Sequence, residues 1–353
     1  MKKIIASLFF FVVAIFPSSI FCQESDPAVA VRIVTDEAKA VMNILTKNAN
    51  GLQLTESDWT GLFNTEGYKR LQKRERSMRR KFEDSTFRAF VLSPALKERY
   101  ELLKGSLEEW KHMDIAKAAR QALMYLPEGT IISAKIYPVI KPLPNSFVFE
   151  TDSDPAIFIY IDPKIKPGKL FNTLAHELHH IGIGNACQKD DRDSTISKGV
   201  LNALRWISGF SEGRAVLAAA GNVQTHPHEV SEASDRAVWE RDFANTASDM
   251  KELEDFFRRL IDGKIAEKDQ MKEGFRFVSR DSIPQGAFYT VGYMMASAVE
   301  KVMGRERLVA SSCDGYMFMS DYNMAASELN KKGAALPLWS KELLDELSGR
   351  IKK

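Results

Sequence analysis

Two histidines and a glutamate carry the strongest chemical signal in the sequence. His176, Glu177 and His180 form the pattern His-Glu-x-x-His. On a helix, residues four apart lie one turn apart on the same face, so both imidazoles can bind one tetrahedral zinc ion while Glu177 stands beside the open coordination position. The neighbouring His179 points partly away from this pair and is expected to be a bystander or an outer hydrogen-bond donor. The spacing therefore predicts a hydrolytic zinc site.

A zinc site of this kind needs a third protein ligand and leaves the fourth position to water. A third histidine in the metzincin pattern would fall at position 186, where Ala186 stands, so that class is excluded. Carboxylates remain, and the downstream candidates are Asp190, Asp191, Asp193 and Glu212. The aspartates lie in a polar loop without helical support, whereas Glu212 lies in a segment rich in Ala and Leu that should pack behind the histidine helix. We therefore predict Glu212 as the third ligand.

The wider pattern resembles the peptidase-MA-like gluzincins, which include families of secreted zinc peptidases without an assigned substrate. The first motif is followed by Glu-Gly-x-Ala at Glu212, and in those families this glutamate is the third ligand. Tyr289 begins a Tyr-x-x-Gly helix similar to that of aminopeptidase-N-like members, where the tyrosine stabilises the oxyanion. The resemblance spans roughly residues 130–330 and implies that role for Tyr289, with Tyr293 as a competing candidate. The aminopeptidase signature Gly-x-Met-Glu-Asn is absent, so N-terminal trimming is not implied.

These residues predict a zinc-dependent peptidase with peptide or protein substrates. A bound zinc ion would lower the pKa of water toward about 7, and Glu177 would act as general base and then return the proton to the leaving amine. The alternative is a zincin-like binding or scaffold protein without turnover, although a structural zinc site has no use for Glu177. Residues 209–213 also match the Gly-x-Ser-x-Gly elbow of serine hydrolases. The last histidines, His226 and His228, follow Ser211 with no acid between them except the adjacent Glu212, so that triad cannot be assembled.

The spacing of apolar residues predicts the helices and strands that hold these side chains. Helical spacing runs from about residue 28 to 126, alternating residues predict strands at 131–137, 146–151 and 156–161, and helices follow to the end of the chain. The fold class is therefore α+β, a mostly helical zincin-like fold with a small β-sheet before the active-site helix. Gly182 and Gly184 are expected to end that helix. Strand 156–161 could offer its edge to an extended substrate or could be an ordinary buried strand.

The N-terminal residues predict where the protein acts in the cell. Lys2, Lys3 and the apolar run after them predict a signal peptide over 1–22 and a secreted or periplasmic protein. We divide the remainder into an N-terminal helical region, 23–127, and a zincin-like metallopeptidase domain, 128–353. No other apolar stretch is long enough for stable membrane insertion.

Charge and cysteine content add further expectations. The formal net charge is +2 and falls to 0 without the signal-peptide lysines, which gives no indication of nucleic-acid binding. The basic run 69–81 is either a solvated helix face or an anion contact. Cys187 and Cys313 can form a disulfide or stay as two thiols, because the sequence gives no distance between them. Nothing in the sequence determines the oligomeric state.

Overall fold

The computed structural model describes residues 27–187, 196–279 and 283–348. Most of these residues lie in helices, and four strands form one sheet, so the predicted α+β class is confirmed. Within these ranges, none of the helices combines the length and the apolarity that crossing a bilayer would require. The signal-peptide prediction and the candidate ligands Asp190, Asp191 and Asp193 lie outside the described residues.

The elements follow one another along the chain with short connections. The strands are β1 (Val29–Ile33), β2 (Ile132–Val139), β3 (Phe147–Phe149) and β4 (Ala156–Tyr160). Before β2 the helices are α1 (Asp36–Ala49), α2 (Glu56–Phe63), α3 (Glu66–Ser77), α4 (Asp84–Val91), α5 (Pro94–Glu98), α6 (Tyr100–Glu109) and α7 (Ile115–Leu123). After β4 they are α8 (Pro167–Ala186), α9 (Lys198–Ile207), α10 (Ser211–Ala220), α11 (Ala233–Phe243), α12 (Thr246–Ile261), α13 (Glu267–Phe275), α14 (Ala287–Met303), α15 (Arg305–Ala310), α16 (Gly315–Asn330) and α17 (Lys341–Ser348).

The sheet has the strand order β1-β2-β4-β3, in which β3 is antiparallel to β4 and the other pairs are parallel. The three strands expected from alternation are present as β2, β3 and β4. The prediction of helix from residue 28 was wrong at β1, where Val29 pairs with Ile132 in register. An edge strand of five residues carries little periodicity of its own, and it gains its hydrogen bonds from a strand about a hundred residues away.

β4 lies inside the sheet, between β2 and β3, and four of its five residues are buried. Both of its edges are therefore paired, and the expectation that it could offer an edge to substrate was wrong. β4 is therefore an ordinary buried strand, which was the second interpretation of residues 156–161. The free edge on this side of the sheet belongs to β3.

Helix α8 packs against the sheet and α7 through its apolar face. Leu174 and Leu178 are fully buried in the same cluster as Ile157 of β4. The helix continues to Ala186, so the expectation that Gly182 ends it was wrong. A Cβ at Gly182 would lie 2.2 Å from Leu126 Cδ1, and the glycine therefore permits a close approach of two segments rather than a helix end.

A second core cluster stands behind α8 and is formed mainly by α9, α10, α12, α14 and α16. Its side chains Phe210, Phe257 and Val291 are fully buried. α10 lies between α8 and α14 and packs against both. This arrangement places the start of α10 and the start of α14 next to the histidine helix.

The N-terminal helices complete the structure around the other end of the sheet. Tyr68 and Leu96 belong to a cluster that includes Ile140 and Ile161, at the ends of β2 and β4. β1 pairs with β2, and α7 packs in one core cluster with α8 and the sheet. Elements from both sides of position 127 therefore share a core. The division at 127/128 remains a prediction.

Much of the basic run is paired within the chain. Arg70 Nη2 lies 2.8 Å from Glu150 Oε2, and its Nη1 lies 3.0 Å from Asp154 Oδ2. Arg74 Nη1 lies 2.7 Å from Glu75 Oε1, and the Arg74 side chain is only 12% exposed. Arg70 therefore fixes α3 to the sheet region, while Lys69, Arg76 and Arg79 are exposed, as on a solvated helix face.

Cys187 and Cys313 form a disulfide. Their Cα atoms lie 5.2 Å apart. Cys187 follows the last residue of α8, and Cys313 lies between α15 and α16. The bridge thus ties the end of the histidine helix to the C-terminal helices.

Glu37, near the start of α1, predicts a pH dependence of stability. Burial raises its pKa to about 8; the Ile140 N–H and Lys141 oppose this, and Asp36 adds to it. Because the folded pKa exceeds the ordinary value of 4.5, stability is fully present below pH 4.5 and is lost as the pH rises through about 8. We expect the Glu37→Gln variant, which keeps an acceptor for Ile140, to lack this decline. Urea unfolding of both proteins at pH 5 and pH 8 measures it, and equal losses in the two proteins would contradict it.

Candidate metal centre and cleft

Helix α8 brings the two histidines of the first motif together. It begins with Pro167, whose fixed φ suits the first turn, and it keeps its helical hydrogen bonds past both histidines. His176 Nε2 and His180 Nε2 lie 3.0 Å apart. Both side chains are 15% exposed, so the rings face a cleft and not the core.

Glu212 reaches the same point from α10. Its Oε2 atom lies 3.2 Å from His176 Nε2 and 3.1 Å from His180 Nε2. Glu212 stands in the first turn of α10, where the positive end of the helix favours a carboxylate. Among the described residues, this trio is the group of three or more His, Cys, Asp or Glu side chains that could hold a metal ion.

The donor set fits a zinc ion. Zinc binds nitrogen and oxygen ligands at about 2.0–2.1 Å, so the ligand atoms of a tetrahedral site lie about 3.3 Å apart. The three atoms of His176, His180 and Glu212 lie close to that spacing before any adjustment. Two imidazoles and one carboxylate are also the ligand types of hydrolytic zinc sites.

His180 and Glu212 stabilise each other's charged form. Burial lowers the pKa of His180, but the Glu212 carboxylate outweighs this and raises it to about 9. Burial raises the pKa of Glu212, yet His180 and His176 hold it well below its ordinary value. Glu212 is therefore ionised at neutral pH, as a metal ligand must be.

Glu177 lies beside this trio and is itself buried, with 9% of its surface exposed. Burial raises its pKa, the nearby Glu212 adds to this, and His176 and His180 oppose it. A carboxyl group with a raised pKa is a stronger base than an ordinary carboxyl, which suits it to accept and return a proton. Glu177 lines the cleft next to His176.

The structure separates the two tyrosine candidates. The Tyr289 ring stacks on the His176 ring with centroids 6.0 Å apart, and Tyr289 lines the cleft. Burial raises its pKa well above the ordinary value, as do Glu212 and Glu177, so the phenol keeps its proton. Tyr293, one turn later, packs edge-on against Trp239 at 5.6 Å and belongs to the core periphery. Tyr289 is the tyrosine that the structure brings to the histidines.

Two glycines allow the ligand helices to meet. A Cβ at Gly213 would lie 2.1 Å from Tyr293 N, and one at Gly292 would lie 3.1 Å from the Cα of Gly213. These are the glycines of the Glu-Gly-x-Ala and Tyr-x-x-Gly motifs. The backbones of α10 and α14 therefore touch, and this contact sets Glu212 and Tyr289 side by side.

A larger residue at Gly213 should disturb both the fold and the site. We expect Gly213→Ala to lower the free energy of unfolding by about 3 kcal/mol, at the upper end for overpacking because the clash is with backbone. Zinc affinity should fall with it. Gly105→Ala is the matched control, since Gly105 lies within α6 with open space around its Cα, and should be neutral or slightly stabilising. Thermal unfolding and zinc titration of the two variants test this, and equal stabilities would contradict it.

His179 does not join the site. Its side chain is fully buried, and desolvation lowers its pKa well below the ordinary value, with His180 adding to the effect. It is therefore a neutral histidine on the packed side of α8. The sequence expectation that it is not a ligand agrees with this position.

The cleft, of about 450 Å³, includes side chains that sequence reasoning missed. Lys169 and Asp235 form an ion pair in its lining, and His228 Nε2 lies 3.0 Å from Gln285 Oε1 in its wall. Lys169 is seven residues before His176, so same-face spacing along α8 could have identified it. No local signal marks Asp235, His228 or Gln285, because separate segments bring them to the cleft.

Comparison with known proteins gives one match. Residues 59–331, more than half of the chain, match the model of a family described as "Putative zinc dependent peptidase (DUF5700)". No curated protein and no solved structure matches the chain. The match includes helices α8, α10 and α14 and strands β2, β3 and β4, whereas β1 lies before it.

Proposed function

This chain belongs to the zinc-dependent peptidase family that its sequence matches, and from that premise we propose that it hydrolyses peptide bonds at the site formed by His176, His180 and Glu212. The observation that carries the proposal is the convergence of three ligand atoms from α8 and α10 within 4.8 Å of one another. The buried carboxyl of Glu177 beside them supports catalysis over mere metal storage, because a structural site has no use for a base.

His176, His180 and Glu212 would hold zinc, which supplies a Lewis acid that polarises the carbonyl and acidifies water. Glu177 accepts a proton from the water that attacks the peptide carbonyl and delivers it to the nitrogen of the leaving amine. Tyr289 keeps its proton and donates a hydrogen bond to the oxygen on which negative charge develops.

The sheet offers a way to hold the substrate backbone. Among the described residues β3 pairs only with β4, and Pro144 and Ser146 just before it line the cleft. An extended peptide could add to the free edge of β3 through main-chain hydrogen bonds. We infer a peptide or protein substrate met outside the cytoplasm, after the signal segment 1–22 directs export.

The function is tested with purified mature protein, by metal analysis and by digestion of a peptide library with and without chelator. We expect one zinc ion per chain and hydrolysis that stops on chelation and returns when zinc is restored. Hydrolysis that is unchanged after complete metal removal would rule out this mechanism.

A further inference from the structure

The cleft runs along one face of α8, away from the metal centre. Lys169, Thr173, His176 and His180 are spaced by four, three and four residues and therefore lie on one stripe of the helix. Lys169 and Thr173 line the cleft together with His176. Seven residues of helix place Lys169 about 10 Å from His176 along the axis, which an extended peptide covers with about three residues.

At Lys169 the cleft meets a wall. The segment that precedes α11 packs directly on the first turn of α8, where a Cβ at Gly168 would lie 2.8 Å from Val230 Cβ. Lys166 Nζ donates to the Ser231 carbonyl at 3.3 Å and lies 3.2 Å from Glu232 Oε2. Among the described residues, the cleft lining includes Lys169 and Ser231 but not Lys166 or Glu232, so these contacts bound the cleft at what we call its closed end.

The closed end carries one ion pair that faces the cleft. Lys169 Nζ lies 2.5 Å from Asp235 Oδ2, and both side chains are about one third exposed, at 35% and 33%. Lys169 is a cation in the first turn of a helix, a position that favours anions, and that turn of α8 has no acidic residue of its own. Asp235 stands in the first turn of α11, where the helix end stabilises its carboxylate. Lys169 is thus the member of the pair that can bind a further anion.

We propose, on the basis of the peptidase function above, that the closed end binds the free C-terminus of a peptide, with Lys169 as the specificity-determining residue for the terminal carboxylate. The scissile bond then lies two or three residues from that terminus, and the products are dipeptides or tripeptides. The cleft volume of about 450 Å³ suits so short a segment. One water is consumed: its oxygen joins the carbonyl carbon as the C–N bond breaks, and Glu177 carries its proton to the nitrogen of the released fragment.

Binding tests the inference without turnover. Tripeptides with a free C-terminus and the same tripeptides as C-terminal amides are titrated into the zinc-loaded Glu177→Gln protein by calorimetry. We expect the amides to bind at least tenfold more weakly, and we expect a further Lys169→Met change to remove that difference. The matched control is Lys198→Met, which breaks an exposed ion pair with Glu267 outside the cleft lining and should keep the preference. Equal affinity for acid and amide would overturn the proposal.

Turnover by the unaltered protein gives the second test. Octapeptides are supplied with free ends, with an amidated C-terminus or with an acetylated N-terminus, and the products are identified by mass spectrometry. We expect release of dipeptides or tripeptides from the C-terminal end, a loss of at least tenfold in kcat/KM on amidation and little change on acetylation. Zinc-dependent cleavage at internal bonds without regard to the C-terminus, or release from the N-terminus, would overturn this inference and leave the peptidase function intact. If no peptide is hydrolysed in a zinc-dependent manner, the proposed function fails, and the binding comparison alone decides the role of Lys169.

Discussion

Replacing Glu177 by Gln should lower kcat for peptide hydrolysis by about 10²–10⁴-fold, the usual contribution of a general base. The amide has nearly the same shape but cannot accept a proton. The three convergent ligand atoms belong to other residues, so zinc content should not change. Steady-state hydrolysis and metal analysis on the same preparation measure both effects.

Glu212→Gln is the contrasting variant. It replaces the ionised ligand by a neutral amide, and we expect zinc affinity to fall by more than about 100-fold, beyond the loss typical of residues that only support a ligand. Hydrolysis should fall together with the metal content. If Glu177→Gln hydrolyses peptides as fast as the unaltered protein, the chain is better explained as a zincin-like binding or scaffold protein.

Loss of the Cys187–Cys313 disulfide should lower the free energy of unfolding by about 5 kcal/mol. The bridge joins residues 126 positions apart, and closing so long a loop restricts the unfolded chain strongly. Denaturant unfolding of the oxidised and reduced protein measures the difference. The Cys187→Ser/Cys313→Ser double variant is the control, because its midpoint should be low and should not respond to reductant. Coincident midpoints of the oxidised and reduced protein would contradict the prediction.

The same bridge should affect the metal centre. Cys187 follows His180 by seven residues at the end of α8, and the segment before Cys313 receives a hydrogen bond from Arg214 of α10, which runs from Arg214 Nη1 to the Ser311 carbonyl at 3.2 Å. Residues 311–313 therefore contact both ligand-bearing helices. We expect zinc to bind more weakly to the reduced protein, which a competition titration with a chelator measures.

Local features of the site and the fold followed from the sequence. Same-face spacing places His176 and His180 together on any helix, and the apolar stripe of α8 required a helix there. Alternation and β-branched or aromatic residues between turn-forming residues predicted β2, β3 and β4. β1 was missed because its five residues acquire strand structure by pairing with β2, and Gly182 was misread because its role is a contact with Leu126.

Distances between segments far apart in the chain depend on how the helices and the sheet pack. Tyr289 and Tyr293 are four residues apart on one helix, so spacing cannot choose between them; the packing of α14 on α10 directs Tyr289 to the cleft. The Lys169–Asp235 pair and the disulfide likewise depend on how helices dock. Helical spacing is a local property, so the order of residues was enough to identify side chains that could bind a metal ion. The meeting of those side chains with Glu212 required the backbone contact between Gly213 and Gly292, because only close-packed helices bring separate segments within ligand distance.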